Sequence, residues 1–156
     1  MAFSHIDKHG TANFVDISAK NHSVRQAKAF SKITMNSKAF SLLREDRTKK
    51  GNVLSVAQLA GIMAAKKTHE LIPLCHSIPI NSIEVSFETD EKNNSLKIFS
   101  KIKAVYKTGV EMEALTAVTI AALTVYDMIK SVDKAANITN ISLLSKTGGK
   151  SGKYEA

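Results

Sequence analysis

One segment in the second half of the chain constrains the fold more than any other. Residues 107–134, KTGVEMEALTAVTIAALTVYDMIKSVDK, contain no proline and no glycine after Gly109. Apolar side chains recur at helical spacing, and alanines between them leave room for close packing. The pattern predicts one long, mostly buried helix, with a capping box formed by Thr108 and Glu111 at its start. Three charges within this helix need another explanation: Glu113, Asp127 and Lys130.

The spacing of these charges bears on where a site could form. Glu113 and Asp127 lie on nearly the same face, but 14 positions place them roughly 21 Å apart along a helix axis at ~1.5 Å per residue. If both groups serve one small substrate, a second chain must supply one of them. Asp127 and Lys130 can touch as helix neighbours. The structural alternative is a surface ion pair, which contributes about 0–1 kcal/mol.

Composition limits the class of protein. A chain of 156 residues with 44% hydrophobic content predicts a single domain over residues 1–156. No apolar run reaches the ~20 residues that cross a membrane, and the N-terminus lacks an apolar signal segment, so no membrane partner is expected. The single cysteine excludes an internal disulfide and fits a reducing cytoplasm. The net charge of +8 predicts an anionic partner, such as nucleic acid or a phosphorylated metabolite.

The order of the other segments predicts the fold class. Strands are expected at 23–35, 82–89, 96–106 and 137–144, because apolar residues there nearly alternate or follow turn residues. Asn36 and Asn52 are expected to cap helices at 37–46 and 53–67. Residues 1–21 are expected to form an irregular arm and residues 147–156 a flexible tail. The order strand, helices, strand, strand, helix, strand predicts an α+β, ferredoxin-like split βαβ fold with an antiparallel sheet.

Cys75 and His76 lie in LIPLCHSIPI, which Pro73 and Pro79 predict to be extended. The pair is a weak metal site, because neither a second cysteine nor a histidine at ligand spacing is nearby. It is also a weak nucleophile pair, because adjacent side chains in an extended segment point opposite ways. A buried cysteine beside a hydrogen-bonded histidine is the structural interpretation. His76 as an acid, base or phosphate donor is the better functional one.

The C-terminal SKTGGKSG resembles a phosphate-binding loop only at its end. The first glycine of that motif would fall on Leu144, and no helix follows. Two interpretations remain open for this glycine-rich segment. It is either a frayed terminus, or its backbone N–H groups and Lys146 or Lys150 close over a phosphate chain.

Four ordered blocks carry a resemblance to a known family: KGNVLSVAQLAGIMAAKKT, LIPLCHSIPI, residues 107–134 and SKTGGKSG. In this order and spacing they resemble the MoaC family, the cyclic pyranopterin monophosphate synthases of molybdenum-cofactor biosynthesis. The resemblance covers about residues 11–152. It implies a ferredoxin-like hexamer built from dimers, with sites at subunit interfaces. It also implies conversion of (8S)-3′,8-cyclo-7,8-dihydroguanosine 5′-triphosphate into cyclic pyranopterin monophosphate with release of pyrophosphate.

The resemblance also assigns roles residue by residue. It implies that Asp127, Lys50 and Lys130 are catalytic. Its substrate-binding positions fall on Leu74, Cys75, His76, Met112, Glu113, Lys66 and Lys146. Ser77 departs from the family pattern, which has proline after the histidine, and loss of that restraint would loosen the segment.

The sequence also bears on a metal site and on two other classes of protein, a nucleic-acid-binding module and a scaffold subunit. It shows no carboxylate cluster for a resident metal, so the only metal expected is Mg²⁺ carried by substrate phosphates. A nucleic-acid-binding module would explain the charge, but aromatics are only 6% and no stacking platform is recognised, so no nucleic acid is expected. A scaffold subunit is the third class, and it would bind no purine triphosphate.

Overall fold

The computed structural model describes residues 5–6, 9–45, 51–149 and 152–156. The sheet has the strand order β2-β3-β1-β4-β5, and every neighbouring pair is antiparallel. The ferredoxin-like α+β prediction is therefore confirmed. In chain order the elements are β1 (Ser23–Thr34), α1 (Ser37–Arg44), α2 (Val53–Lys66), α3 (Thr68–Leu71), β2 (Ile80–Asp90), β3 (Ser95–Tyr106), α4 (Glu111–Ile129), β4 (Asn137–Thr147) and β5 (Tyr154–Glu155).

The core lies between the sheet and the helices α2 and α4. Alternate residues of β1 and β3 are fully buried there, including Ile33, Ile98 and Ile102. A Cβ built on Gly61 of α2 would lie only 2.9 Å from the carbonyl oxygen of Ala117 in α4, so the two helices approach closely. By length and composition α4 could cross a membrane. Half of its apolar window is buried in the protein, as in a core helix.

Local sequence signals explain where two helices begin. The Asn36 side chain accepts from the Ala39 N–H at 2.9 Å and starts α1. The Asn52 side chain accepts from the Ser55 N–H at 2.7 Å and starts α2. Both predicted caps are confirmed, since each satisfies one of the N–H groups that a helix start leaves without an intrahelical partner.

The predicted capping box of α4 is wrong. Val110 occupies the N-cap position, and no side chain caps this end of the helix. Thr108 lies two residues too early to cap it, and the Glu111 carboxylate lies 3.6 Å from the Lys146 ammonium. The helix also ends at Ile129, short of the predicted 134. There Asp133 accepts the N–H groups of Asn36 and Ala135 at 2.6 and 3.0 Å and holds a turn.

Two other segments differ from their predicted form. The LIPLCHSIPI segment is not extended throughout, because the Cys75 N–H donates to the Ile72 carbonyl at 3.1 Å and closes a turn. Within the segment predicted as a flexible tail, β5 pairs with β4, with Tyr154 opposite Lys146. The chain therefore returns to the sheet edge beside Lys146.

Candidate active site

A cavity of ≈ 350 Å³ opens at the N-terminal end of α4, against the segment that follows α3. Cys75 and His76 both line it, although the extended-segment argument placed them on opposite sides. The chain is not a regular strand at this point, since a turn from Ile72 to Cys75 precedes His76, and the alternation of a strand does not apply. Five predicted substrate-binding residues meet at this cavity: Leu74, Cys75, His76, Met112 and Glu113.

Glu113 is the least solvated charge-bearing side chain of the cavity. The residue is 3% exposed, and Oε2 is buried without a hydrogen-bond partner among the described residues. Burial raises the pKa of Glu113 to about 7; a backbone hydrogen bond opposes this rise, and the Glu111 charge adds to it. A carboxyl group with a pKa near neutrality can both give and take a proton under working conditions.

Cys75 is a poor nucleophile in this environment. Burial, and secondarily the Glu113 charge, raise the pKa of the Cys75 thiol. The thiol form is therefore favoured over the reactive thiolate. The hydrogen bond that is described for His76 joins its Nε2 atom to the Val15 carbonyl at 2.8 Å, and none joins His76 to Cys75. Cys75 thus contributes a wall of the cavity.

A second, larger cleft of ≈ 1060 Å³ adjoins the first. Lys20, Thr108, Gly109 and Glu111 line both, so the two spaces meet along this border. The cleft concentrates cationic groups from four parts of the chain: Lys20, Arg25, Lys107 and Lys146. Such a cluster suits a chain of phosphate groups, which ammonium and guanidinium donors bind by charge-assisted hydrogen bonds.

Arg25 was missed in the sequence analysis. Its guanidinium donates from Nε to the Tyr106 carbonyl at 3.1 Å and from Nη2 to the Lys107 carbonyl at 3.2 Å. A Cβ at Gly149 would collide with Nη1 of Arg25, and Gly149 has a φ of +80°. The available signal was the position of Arg25 on the buried face of β1, in phase with two alanines. The glycine at position 149 is explained by this close approach.

Glu111 was also misassigned. It lies on the border of both spaces and faces Lys146, whose side chain is 19% exposed. A substrate phosphate entering the cleft would compete with this carboxylate for Lys146. Glu111 is therefore a candidate site residue beside Glu113, and not the capping residue that the sequence predicted.

Comparison with known proteins shows the family of the chain. The model of the MoaC family matches residues 14–149. The chain belongs to the MoaC family. Three relatives carry the name cyclic pyranopterin monophosphate synthase. The protein of Thermomicrobium roseum is 48% identical over 97% of this chain and 91% of its own length. That of Thermoanaerobacter sp. (strain X514) is 50% identical over 99% and 98%, and that of Syntrophomonas wolfei is 51% identical over 97% of each.

Two catalytic residues implied by the MoaC resemblance do not reach this cavity in one chain. Asp127 and Lys130 form an ion pair of 2.6 Å near the C-terminal end of α4, with side chains 56% and 53% exposed. The Asp127 hydrogen bond and charge raise the pKa of Lys130. The ion pair predicted for these helix neighbours is thus present, and its distance from Glu113 is set by the helix.

The other predicted lysines have different positions. Lys146 lines the cationic cleft. Lys66 lines a neighbouring cavity of ≈ 390 Å³, which shares Ile78 with the cavity of Glu113. Lys50, predicted to be catalytic, lies outside the described residues, as does Lys150. Across the described ranges no group of three or more His, Cys, Asp or Glu residues could hold a metal ion.

Proposed function

We propose that this chain acts in molybdenum-cofactor biosynthesis and converts (8S)-3′,8-cyclo-7,8-dihydroguanosine 5′-triphosphate into cyclic pyranopterin monophosphate, with release of pyrophosphate. The enzyme is then a lyase that needs a place for a purine-derived ring beside a place for a triphosphate. The observation that carries the proposal is the junction of the Glu113 cavity with the cationic cleft along Thr108, Gly109 and Glu111. The names of the relatives point to the same reaction.

The chemistry divides between the two spaces. Rebuilding the ring opens and closes C–N bonds and moves several protons, for which Glu113 is a group able to exchange protons near pH 7. Closing the cyclic phosphate expels pyrophosphate, and its growing charge is stabilised by cations. Lys20, Lys107 and Lys146 line the space where that charge would develop. Any Mg²⁺ would be carried by the phosphates, since Mg²⁺ is usually held by substrate oxygens.

The complete site includes a second chain. Asp127, about 21 Å along α4 from Glu113, and Lys130, still farther along, are too far from the cavity to act on a substrate held there by the same chain. An antiparallel arrangement of two copies would bring the Asp127–Lys130 pair of one protomer to the Glu113 cavity of its partner. We propose a homo-oligomer based on such dimers, a hexamer in its full form, that works in the cytoplasm.

The test is turnover of the purified chain with the cyclised guanosine triphosphate. Equal amounts of cyclic pyranopterin monophosphate and pyrophosphate are expected, and Lys130→Ala should release neither. The relative from Thermoanaerobacter sp. serves as the reference enzyme. If the reference enzyme turns over the substrate and this chain does not, the proposed reaction is wrong. Absence of any binding of purine triphosphates would support a scaffold subunit instead.

A further inference from the structure

We infer that the N-terminal segment Phe14–Ser18 is a strap that positions His76, with Phe14 and Val15 as positioning residues. The inference rests on the proposed function, because it gives His76 a defined orientation at the substrate cavity. The strap fixes which ring nitrogen of His76 carries the proton and which faces a ligand. Phe14 and Val15 were given no role by the sequence, which placed them in an irregular arm.

The contacts join parts of the chain that are 61 residues apart. On one side, Nε2 of His76 lies 2.8 Å from the Val15 carbonyl oxygen. The centroid of the Phe14 ring lies 4.1 Å from that of the imidazole, and the two ring planes are tilted by 38°. Phe14 is nevertheless 52% exposed, so its burial in a core does not explain its position. The contact with the Phe14 ring and the hydrogen bond to Val15 together fix both the tilt and the rotation of the imidazole.

The Val15 contact determines the tautomer of His76. A carbonyl oxygen can only accept, so Nε2 must be the protonated nitrogen. In the neutral ring, Nδ1 then carries the lone pair. Within the described part of the chain the ring makes no other hydrogen bond. Nδ1 is therefore left for a ligand in the cavity that His76 lines, either as a proton acceptor or, when the ring is charged, as a donor.

The strap is anchored at its far end as well. Lys107 donates from Nζ to the Ser18 carbonyl at 2.8 Å. The Ser18 N–H donates to Asp16 Oδ1 at 2.8 Å and tightens the intervening turn. Val15 and Ile17 line the Glu113 cavity, while Asp16 lines the cationic cleft. The strap thus runs along both spaces, and its two ends are tied to residues that line them.

The first experiment observes the ring directly and needs no turnover. The intact protein is labelled with ¹⁵N-histidine, and the His76 signals are identified by their loss in His76→Gln. Near pH 8 the wild type should show one tautomer, protonated on Nε2. Phe14→Ala should broaden or shift these signals, and Phe14→Tyr should restore them. Two tautomers in the wild type, or identical spectra in wild type and Phe14→Ala, would overturn the inference.

The second experiment measures kinetics. Misplacing a group near the reacting atoms is costly, so Phe14→Ala should lower kcat/KM by about tenfold, while Phe14→Tyr stays near wild type. Ile141→Ala, which trims another exposed apolar side chain, is the matched control and should change nothing. Equal loss in Phe14→Ala and Ile141→Ala, or no rescue by tyrosine, would also overturn it. If the spectra behave as expected but neither the wild type nor any variant turns over substrate, the positioning role of the strap is supported and the proposed reaction is wrong.

Discussion

Glu113 and Asp127 lie at opposite ends of one helix, α4, which spans Glu111–Ile129. The first is buried in a cavity, and the second is exposed and paired with Lys130 at 2.6 Å. The rigid spacing of a helix means that neither side chain can move to the other's end. A reaction that uses both groups must therefore be carried out between two copies of the chain.

Burial of Glu113 makes the stability of the protein depend on pH. Because burial raises the pKa of Glu113 from 4.5 to about 7, folding is unhindered below pH 4.5, where the group is neutral in both states. The free energy of unfolding then falls as the pH rises from 4.5 to about 7, by about 3 kcal/mol in all, and the loss is complete above pH 7. Glu113→Gln keeps the neutral form and should unfold at higher temperature than wild type at pH 8, with little difference at pH 5. Glu111→Gln should gain less, because the Glu111 charge is the smallest cause of the raised pKa of Glu113 and its carboxylate also faces Lys146. A gain equal to that of Glu113→Gln would contradict this account.

Removing the exposed ion pair should affect activity and not folding. Asp127→Ala and Lys130→Ala are each expected to leave the melting temperature near that of wild type, since exposed pairs contribute little to stability. Turnover should nevertheless be lost, because the proposed dimer places these groups at the cavity of a partner copy. Glu70→Ala is a matched control, since Lys67 and Glu70 form an exposed pair with the same i,i+3 spacing. Melting lowered by ten degrees or more in Asp127→Ala, with Glu70→Ala unaffected, would mean that the pair is structural.

Alanine substitutions at two glycines of the tail distinguish the effect of backbone strain from the effect of displacing Arg25 in the cationic cleft. Gly149 and Gly152 both have positive φ, +80° and +65°, so alanine costs roughly 1–2 kcal/mol of strain at either. Only at Gly149 would the new Cβ displace Arg25, while at Gly152 it meets nothing within 4 Å. Gly149→Ala should raise KM about tenfold or more, and Gly152→Ala by much less. Equal KM values in the two variants would remove Arg25 and Gly149 from substrate binding.

The sequence was sufficient where local chemistry determines structure. Asn36 and Asn52 cap helices as expected, because a cap depends on residues three positions away. The packing of the sheet against the helices likewise follows from sequence patterns, since apolar residues alternate in β1 and β3 and recur at helical spacing in α4. The family resemblance supplied five residues that now line one cavity.

What the sequence could not supply depends on contacts between distant segments. Glu111 was assigned to its neighbour Thr108, whereas it faces Lys146, 35 positions away. Arg25 binds the carbonyls of Tyr106 and Lys107, which only the β1–β3 pairing brings near it. The Val15 contact to His76 has no local signal either, because a backbone carbonyl has no signature in the sequence.

The sharing of the active site between chains is the central claim, and mixing two inactive variants tests it most directly. Glu113→Ala and Asp127→Ala are purified separately, mixed, and allowed to exchange subunits, with exchange confirmed by native mass spectrometry. With random pairing, half of the dimers are mixed and one of the two sites in each is intact. The account therefore predicts recovery of about a quarter of wild-type turnover. Complete exchange without any recovered turnover would show that both groups act from the same chain.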